Sequence, residues 1–196
     1  MNTSGHPGES AEIDVIVEVI TANPGQLVAV EVPHREQVSE LVTRLQSIYS
    51  YGFDINDGAD VRLALGAAGS TLERALEHFA TVMQLPYGAA RTLWQFSEAV
   101  GERPSGYRSC VVVADAVDLL ADEDDVIWRA LADQLVGRPR CMGGGWDTLV
   151  FVDDRDSWTS SRFGSAANAE RVAKTCLSSD EEEAMERELE MRYRVE

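Results

Sequence analysis

Carboxylates follow two apolar runs of the chain, and they are the residues with the clearest potential for chemistry. Asp115 comes directly after the run SCVVVA, and Asp153 and Asp154 follow the run TLVFV. Short β-branched runs of this kind are typical of strands buried on both faces of a parallel sheet. Open α/β sheets bind ligands at the carboxyl ends of such strands. The sequence therefore makes these three aspartates weak candidate ligands for a divalent metal ion.

The chain lacks the key residues with which an ATPase binds and cleaves a nucleoside triphosphate. A phosphate loop reads G-x-x-x-x-G-K-[ST] after a strand, because its glycines turn backbone amides toward the phosphates and its lysine reaches their oxygens. The first predicted strand is instead followed by PHREQ at 33–37, and the only lysine, Lys174, lies far along the chain. Ala116 follows Asp115 where a glutamate that polarises water is expected. The pattern favours a protein without enzymatic activity and without a cofactor.

The alternative is a metal- or nucleotide-dependent ATPase-like protein with Mg-ATP as its cofactor. It would use Asp115 together with the acids of 153–156, since both groups follow strands of the same predicted sheet. Asp115 and Asp118 have a simpler structural interpretation, in which they begin the loop or cap the next turn. Unpaired carboxylates of this kind are usually solvated at the surface.

The chain is strongly acidic, with 34 Asp and Glu residues against 17 Lys and Arg residues and a formal net charge of −17. Direct nucleic-acid binding is disfavoured, because affinity for a phosphate backbone comes largely from Lys and Arg. The charge favours a basic protein partner, and it also allows an acidic DNA-mimic inhibitor whose carboxylates are spaced like phosphates. The acids predicted to be available for contacts lie at two helix starts: Asp122, Glu123, Asp124, Asp125, Glu181, Glu182 and Glu183.

Histidine and cysteine chemistry has little support in the sequence. His6, His34 and His78 are far apart, which argues against a metal site or a catalytic triad. Cysteines 110, 141 and 176 include no C-x-x-C pair. We predict that they are buried thiols, since a free cysteine behaves as a small hydrophobic residue.

The length of 196 residues, 44% of them hydrophobic, suits one sizeable core. We predict a disordered tail at 1–10, a single α/β domain over 11–177 and an acidic helix at 178–196. No apolar run is long enough to span a bilayer, and the start MNTSGHPGES lacks the features of a signal peptide. We therefore expect a cytoplasmic protein without a membrane partner.

Hydrophobic periodicity predicts the elements that would position the carboxylates. The segment 11–22 fits a helix and a strand, and helix is preferred. Capping boxes are predicted at Ser70-x-x-Glu73 and Ser179-x-x-Glu182. In the helix predicted at 87–100, Leu93 and Trp94 are expected to face the core. Strands are predicted at 26–32, 51–55, 109–114, 148–152 and, as a fifth, 170–177. Helices are predicted at 34–49, 70–85, 87–100, 122–136 and from 179 onward, with loops at 59–70 and 153–168.

The order of these motifs resembles the N-terminal domain of the Ycf46-type AAA-domain proteins of chloroplasts and cyanobacteria. The resemblance spreads over about 11–190 with two insertions. Its stretches are IDVIVEVI, LVAVEVPHREQVSEL, YGFDINDG, CVVVADAVDLLADED, TLVFVDD and ERVAKTCLSSDEEE.

Strands that alternate with helices imply β-α-β units and a parallel sheet. With the resemblance, they predict an α/β fold: a three-layer, RecA/P-loop-like, mainly parallel sheet of about five strands with helices on both faces and no phosphate loop. The resemblance also implies a degenerate, non-catalytic module that docks on another protein, such as the AAA ATPase that normally follows this domain in the same chain.

Overall fold

The computed structural model describes residues 7–51, 60–102, 109–136 and 147–192. These residues form one four-stranded sheet in the order β1-β4-β3-β2, and all three strand pairs are parallel. The strands are β1 (Leu27–Val32), β2 (Asp60–Leu65), β3 (Ser109–Ala114) and β4 (Asp147–Asp154). The helices are α1 (Pro7–Thr21), α2 (Gln37–Tyr51), α3 (Leu72–Val82), α4 (Leu93–Gly101), α5 (Asp125–Val136), α6 (Arg155–Ser160), α7 (Ala166–Lys174) and α8 (Ser179–Arg192).

Helices cover both faces of the sheet, as predicted. Successive side chains of a strand point to opposite faces, and β3 shows this directly. Val111 and Val113 pack with α3, α4, α5 and α7, whereas Cys110 and Val112 pack with α1 and α2. Every residue of β3 is buried, which confirms the prediction of a central strand buried on both faces.

The path of the chain creates a crevice between β1 and β4. From β1 the chain crosses by α2 to β2 at the far edge, then returns by α3, α4 and α5 on the other face. Right-handed crossovers require this change of face when the direction of travel reverses. The segments that leave β1 and β4 therefore go to opposite faces, and such a switch point is where open α/β sheets bind ligands.

The second strand lies later in the sequence than predicted. Tyr51 ends α2, the rest of the strand predicted at 51–55 lies outside the described residues, and the loop predicted at 59–70 contains β2 and a short 3-10 helix, Gly66–Gly69. β2 is an edge strand, so Leu63 and Leu65 are almost half exposed. Its weak hydrophobic signal follows from this position, because burial on both faces is what gives a strand a continuous apolar run.

Two predictions for the last third of the chain are wrong. The loop predicted at 153–168 contains α6, whose Trp158 is fully buried and donates its indole N–H to the Val30 carbonyl at 3.1 Å. The fifth strand predicted at 170–177 is the helix α7, which places the buried Ala166 and Ala169 against the sheet. Small side chains let this helix approach closely, and their spacing of three residues is helical.

The helix predicted at 87–100 is divided into a 3-10 helix, Tyr87–Ala90, and α4. Thr92 caps α4 by accepting the amide of Gln95 at 3.1 Å. The buried stripe of α4 is Leu93, Phe96 and Val100. Trp94, predicted to face the core, is 78% exposed. The periodicity of a short helix with apolar residues on both sides did not determine which side was buried.

The segment predicted at 11–22 is helical up to Thr21, as preferred, within a helix that begins at Pro7. Cys110 is a buried thiol as predicted, and burial raises its pKa to about 12. Cys176 is exposed, contrary to the prediction, and Cys141 lies outside the described residues. Within the part of the chain that the structure describes, no helix combines the length and apolarity needed to cross a bilayer.

Candidate functional site

The crevice at the carboxyl ends of β1 and β4 is the candidate functional site. It is an open cleft of about 670 Å³. Its walls are the segment 33–36 after β1 and the segment 154–157 at the end of β4, with Glu12 of α1 at its side. The first wall belongs to the PHREQ stretch at 33–37, which follows the first strand where a phosphate loop would be.

An arginine from the first wall is bound to the aspartate that follows β3. The guanidinium Nη2 of Arg35 forms an ion pair with Oδ1 of Asp115. The Asp115 side chain is only 13% exposed, whereas that of Arg35 is 61% exposed. The pKa of Arg35 is raised, first by the hydrogen bond and the charge of Asp115 and then by the charges of Asp153 and Asp118. Arg35 therefore pairs with Asp115, and the negative charge of Asp153, at the end of the neighbouring strand, also favours the charged form of Arg35.

Asp153 is the buried carboxylate of the site. In the strand register Ala114, the last residue of β3, pairs with Val152 of β4, so Asp115 and Asp153 are the residues that come next along the two chains. Asp153 accepts the amide of Val117 at 3.2 Å and the amide of Asp154 at 2.9 Å. Burial raises its pKa, although hydrogen bonds from the two amides and Ser157 act in the opposite direction. Through these hydrogen bonds, the Asp153 carboxylate links the turn after β3 to the end of β4.

Asp154, the third candidate metal ligand, has a structural role. Its Oδ1 accepts the amide of Ser157 at 2.8 Å, so it is the N-cap of α6. The structure therefore pairs Asp115 with Arg35, places Asp153 at the end of the neighbouring strand and assigns Asp154 to a helix start. In the described ranges, no three or more His, Cys, Asp and Glu side chains are grouped so that they could hold a metal ion.

Asp115 also has an unusual backbone conformation. Its φ and ψ of 53° and 44° lie in the left-handed region, which costs about 1–2 kcal/mol for most residues and less for aspartate. Gly66, which follows β2, packs against it so closely that an added Cβ would lie 2.0 Å from the Asp115 carbonyl oxygen. The left-handed turn and the contact with Gly66 hold the Asp115 backbone at the end of β3.

The first group of predicted interaction acids is only partly available. Of the four, only Asp125 lies in the first turn of α5, because the helix starts later than predicted. Glu123 is buried, and its Oε1 accepts the amide of Leu72 at 2.9 Å. This contact replaces the capping box predicted at Ser70, since the residue before α3 makes no side-chain cap. Asp122, Asp124 and Asp125 are exposed.

The second group lies at the start of α8. The capping box is Ser178-x-x-Glu181, one residue earlier than predicted: Ser178 Oγ accepts the amide of Glu181, and Glu181 Oε2 accepts the amide of Ser178. Glu181 also forms an ion pair with the mostly buried Arg129 of α5 at 2.6 Å. These hydrogen bonds lower its pKa to about 2. Glu182 and Glu183 are exposed.

The histidines show no shared site within the described residues. His34 is exposed at the wall of the cleft, and His6 lies outside the described residues. His78 accepts the amide of Leu65 through Nε2 at 2.9 Å, and burial lowers its pKa. A neutral imidazole therefore caps the outer edge of β2.

Sequence reasoning missed the role of Arg35. The arginine was visible in the PHREQ stretch, but its partner depends on the strand order, because β4 separates β1 from β3. The exposure of the Tyr87 and Trp94 side chains was not predicted either, because Trp94 was assigned to the core.

No family model matches the chain, and no curated protein matches it. The comparisons therefore add nothing to the parallel α/β fold described above, and the Ycf46-type resemblance remains a prediction.

Proposed function

We propose that the chain is a degenerate RecA-like domain that acts as a non-catalytic protein-interaction module. The observation that carries this proposal is the ion pair between Arg35 and Asp115. In an ATPase of this kind, the loop after β1 would hold phosphates and the aspartate after β3 would direct a metal ion. Here the loop supplies a guanidinium group that binds the aspartate directly.

The charges of the cleft support the same conclusion. Five carboxylates and two guanidinium groups belong to the residues that line it. One guanidinium binds Asp115, and the other, that of Arg155, binds Glu31 at 3.2 Å. A triphosphate would have to compete with these carboxylates for both arginines and would be repelled by the remaining acids.

The proposal of a RecA-like domain rests on the resemblance stated above. It is compatible with the position of β4 between β1 and β3, which neither the Rossmann nor the flavodoxin-like strand order has. A partner of the AAA ATPase class, or another basic protein, would be attracted by a chain of net charge −17.

The first test is a calorimetric titration with Mg-ATP, joined to an assay of phosphate release. We expect no saturable heat at millimolar nucleotide and no hydrolysis. A dissociation constant below about 100 μM, roughly −5.5 kcal/mol, would overturn the non-catalytic proposal and favour the ATPase-like alternative.

The second test addresses docking. Tagged protein is incubated in native lysate, and the retained proteins are identified by mass spectrometry and then titrated in pure form. We expect one defined protein to bind saturably, with an association rate that falls as salt increases. Absence of any saturable partner would count against the docking function.

A further inference from the structure

The outer side of α4 differs from an ordinary solvated helix face. The inner stripe, Leu93, Phe96 and Val100, is buried, whereas Trp94 on the other side is 78% exposed. The adjoining 3-10 helix packs on α4 and carries Tyr87, which is 88% exposed. Two large aromatic side chains are therefore presented to solvent on neighbouring elements.

Acidic side chains continue this surface along α4. Glu98 and Glu102 follow Trp94 at successive intervals of four residues, so the three side chains lie on one side of the helix, and both glutamates are exposed. The carboxyl end of α4 lies beside Glu102, and its backbone carbonyls add negative potential there. Arg91 is exposed at the opposite end, next to the aromatic residues. The surface is thus aromatic at one end and acidic at the other.

We infer that Tyr87, Trp94, Glu98 and Glu102, here called the α4 surface, bind a basic segment of a partner protein. An arginine or lysine of that segment stacks on the Trp94 ring, and a second cation pairs with the glutamates. Charge complementarity selects this partner, since the net charge of −17 disfavours a second copy of the chain or an acidic peptide. Tryptophan and tyrosine are among the residue types that are enriched at the energetic centres of interfaces.

The inference rests on the proposed docking function and names the surface and the chemistry of its partner. The probe is a synthetic peptide with three Gly-Arg repeats, and its neutral counterpart has citrulline in place of arginine. Binding is followed by the indole N–H signals in proton-nitrogen NMR spectra. The chain has four tryptophans, and the Trp94 signal is the one lost in Trp94→Ala. We expect the arginine peptide, and not the citrulline peptide, to shift that signal saturably.

Matched variants separate the α4 surface from general attraction to an acidic protein. The affinity of each variant is measured from the backbone amide signals in the same spectra, because the Trp94 indole is absent from the aromatic variant. Tyr87→Ala/Trp94→Ala leaves the charge unchanged and should weaken binding of the arginine peptide about tenfold. Glu98→Gln/Glu102→Gln should weaken it about threefold or more, whereas Glu182→Gln/Glu183→Gln on α8 makes the same change of charge and should stay within about twofold of the parent. Thermal melts confirm that each variant is folded.

Equal binding by the parent and the aromatic double variant would overturn the inference, as would equal weakening by the two glutamate pairs. Binding of the native partner distinguishes failure of the α4 surface from failure of the docking function. If parent and aromatic variant capture and bind that partner equally, the α4 surface is not the interface and the docking function stands. If the parent binds no partner, the docking function itself fails.

Discussion

Arg35, which follows β1, forms an ion pair with Asp115, which follows β3, across the end of the strand that lies between them. The two residues are unequally exposed, because the carboxylate is mostly buried and the guanidinium is mostly in solvent. Removal of one partner therefore has a different consequence from removal of the other. An unpaired carboxylate beside Asp153 lacks compensation, whereas an unpaired Arg35 can be hydrated.

We predict that Arg35→Gln destabilises the protein more than Asp115→Asn. Asparagine is a suitable replacement because it tolerates the left-handed backbone of position 115. We expect a loss of about 1–2 kcal/mol for Arg35→Gln and a coupling of about 1 kcal/mol in the double-mutant cycle, both measured by urea unfolding. The control is Arg155→Gln: the Arg155 side chain is 75% exposed, and its ion pair with Glu31 should contribute less than about 0.5 kcal/mol. A larger loss for Asp115→Asn than for Arg35→Gln would contradict this account.

The contact of Gly66 with the Asp115 backbone leads to a second prediction. An alanine Cβ at position 66 would overlap the Asp115 carbonyl oxygen, and backbone atoms at a strand end cannot move freely. We expect Gly66→Ala to cost about 1–3 kcal/mol. Gly88→Ala is the matched control, because nothing lies within 4 Å of the Cβ that would be added there. Equal thermal stability of both variants would show that the turn after β3 adapts easily.

Local sequence patterns predicted the parts of the fold that are buried on both faces. The run that became β3 is apolar from Cys110 to Ala114, so it could only be a central strand or a buried helix segment, and its length decided between them. The edge strand β2 lacked this signal because Leu63 and Leu65 are partly exposed. Buried alanines at helical spacing identify α7, but alanine gives a weak hydrophobic signal.

The candidate site was less predictable than the fold. The sequence predicted that Asp115 and Asp153 lie at strand ends of the same sheet, because both apolar runs end on aspartates. The structure shows that these two strands are neighbours. The partner of Asp115 was not predicted, because Arg35 meets it only through the order of the strands. Glu123 and Glu181 were assigned to the surface by their type, and the structure uses both in helix caps.

A third prediction concerns the sheet. Val112 is fully buried on the face covered by α1 and α2, and its partner in the register is Leu63 of the edge strand. We expect Val112→Asp to unfold the domain, because an isolated buried charge costs several kcal/mol. Leu63→Asp, on the same face and 43% exposed in the parent, should keep a cooperative melt. A folded Val112→Asp variant within a few degrees of the parent would contradict the assignment of β3 as the central strand.

The last prediction concerns the acid dependence of the contact between α5 and α8. The folded-state pKa of Glu181 is about 2, below its ordinary value of 4.5. A lowered carboxylate pKa stabilises the fold above the unfolded-state pKa, and this contribution is lost as the pH falls toward the folded-state pKa. Glu181→Gln keeps the hydrogen-bonding pattern of the capping box but removes the ion pair with Arg129. We therefore expect the variant to be less stable than the parent at pH 6, with the difference shrinking below about pH 4.5.

Urea unfolding at pH 6.0, 4.5 and 3.5 measures this difference, with Glu182→Gln as the exposed neighbouring control. Because the stability of the whole protein also changes with acid, the informative quantity is the gap between parent and variant at each pH. Ser178→Ala removes the other half of the capping box and should cost about 1 kcal/mol at each pH where Glu181 is ionised in the folded protein. A gap for Glu181→Gln that stays constant from pH 6.0 to 3.5 would show that the charge of Glu181 does not hold α8 against α5.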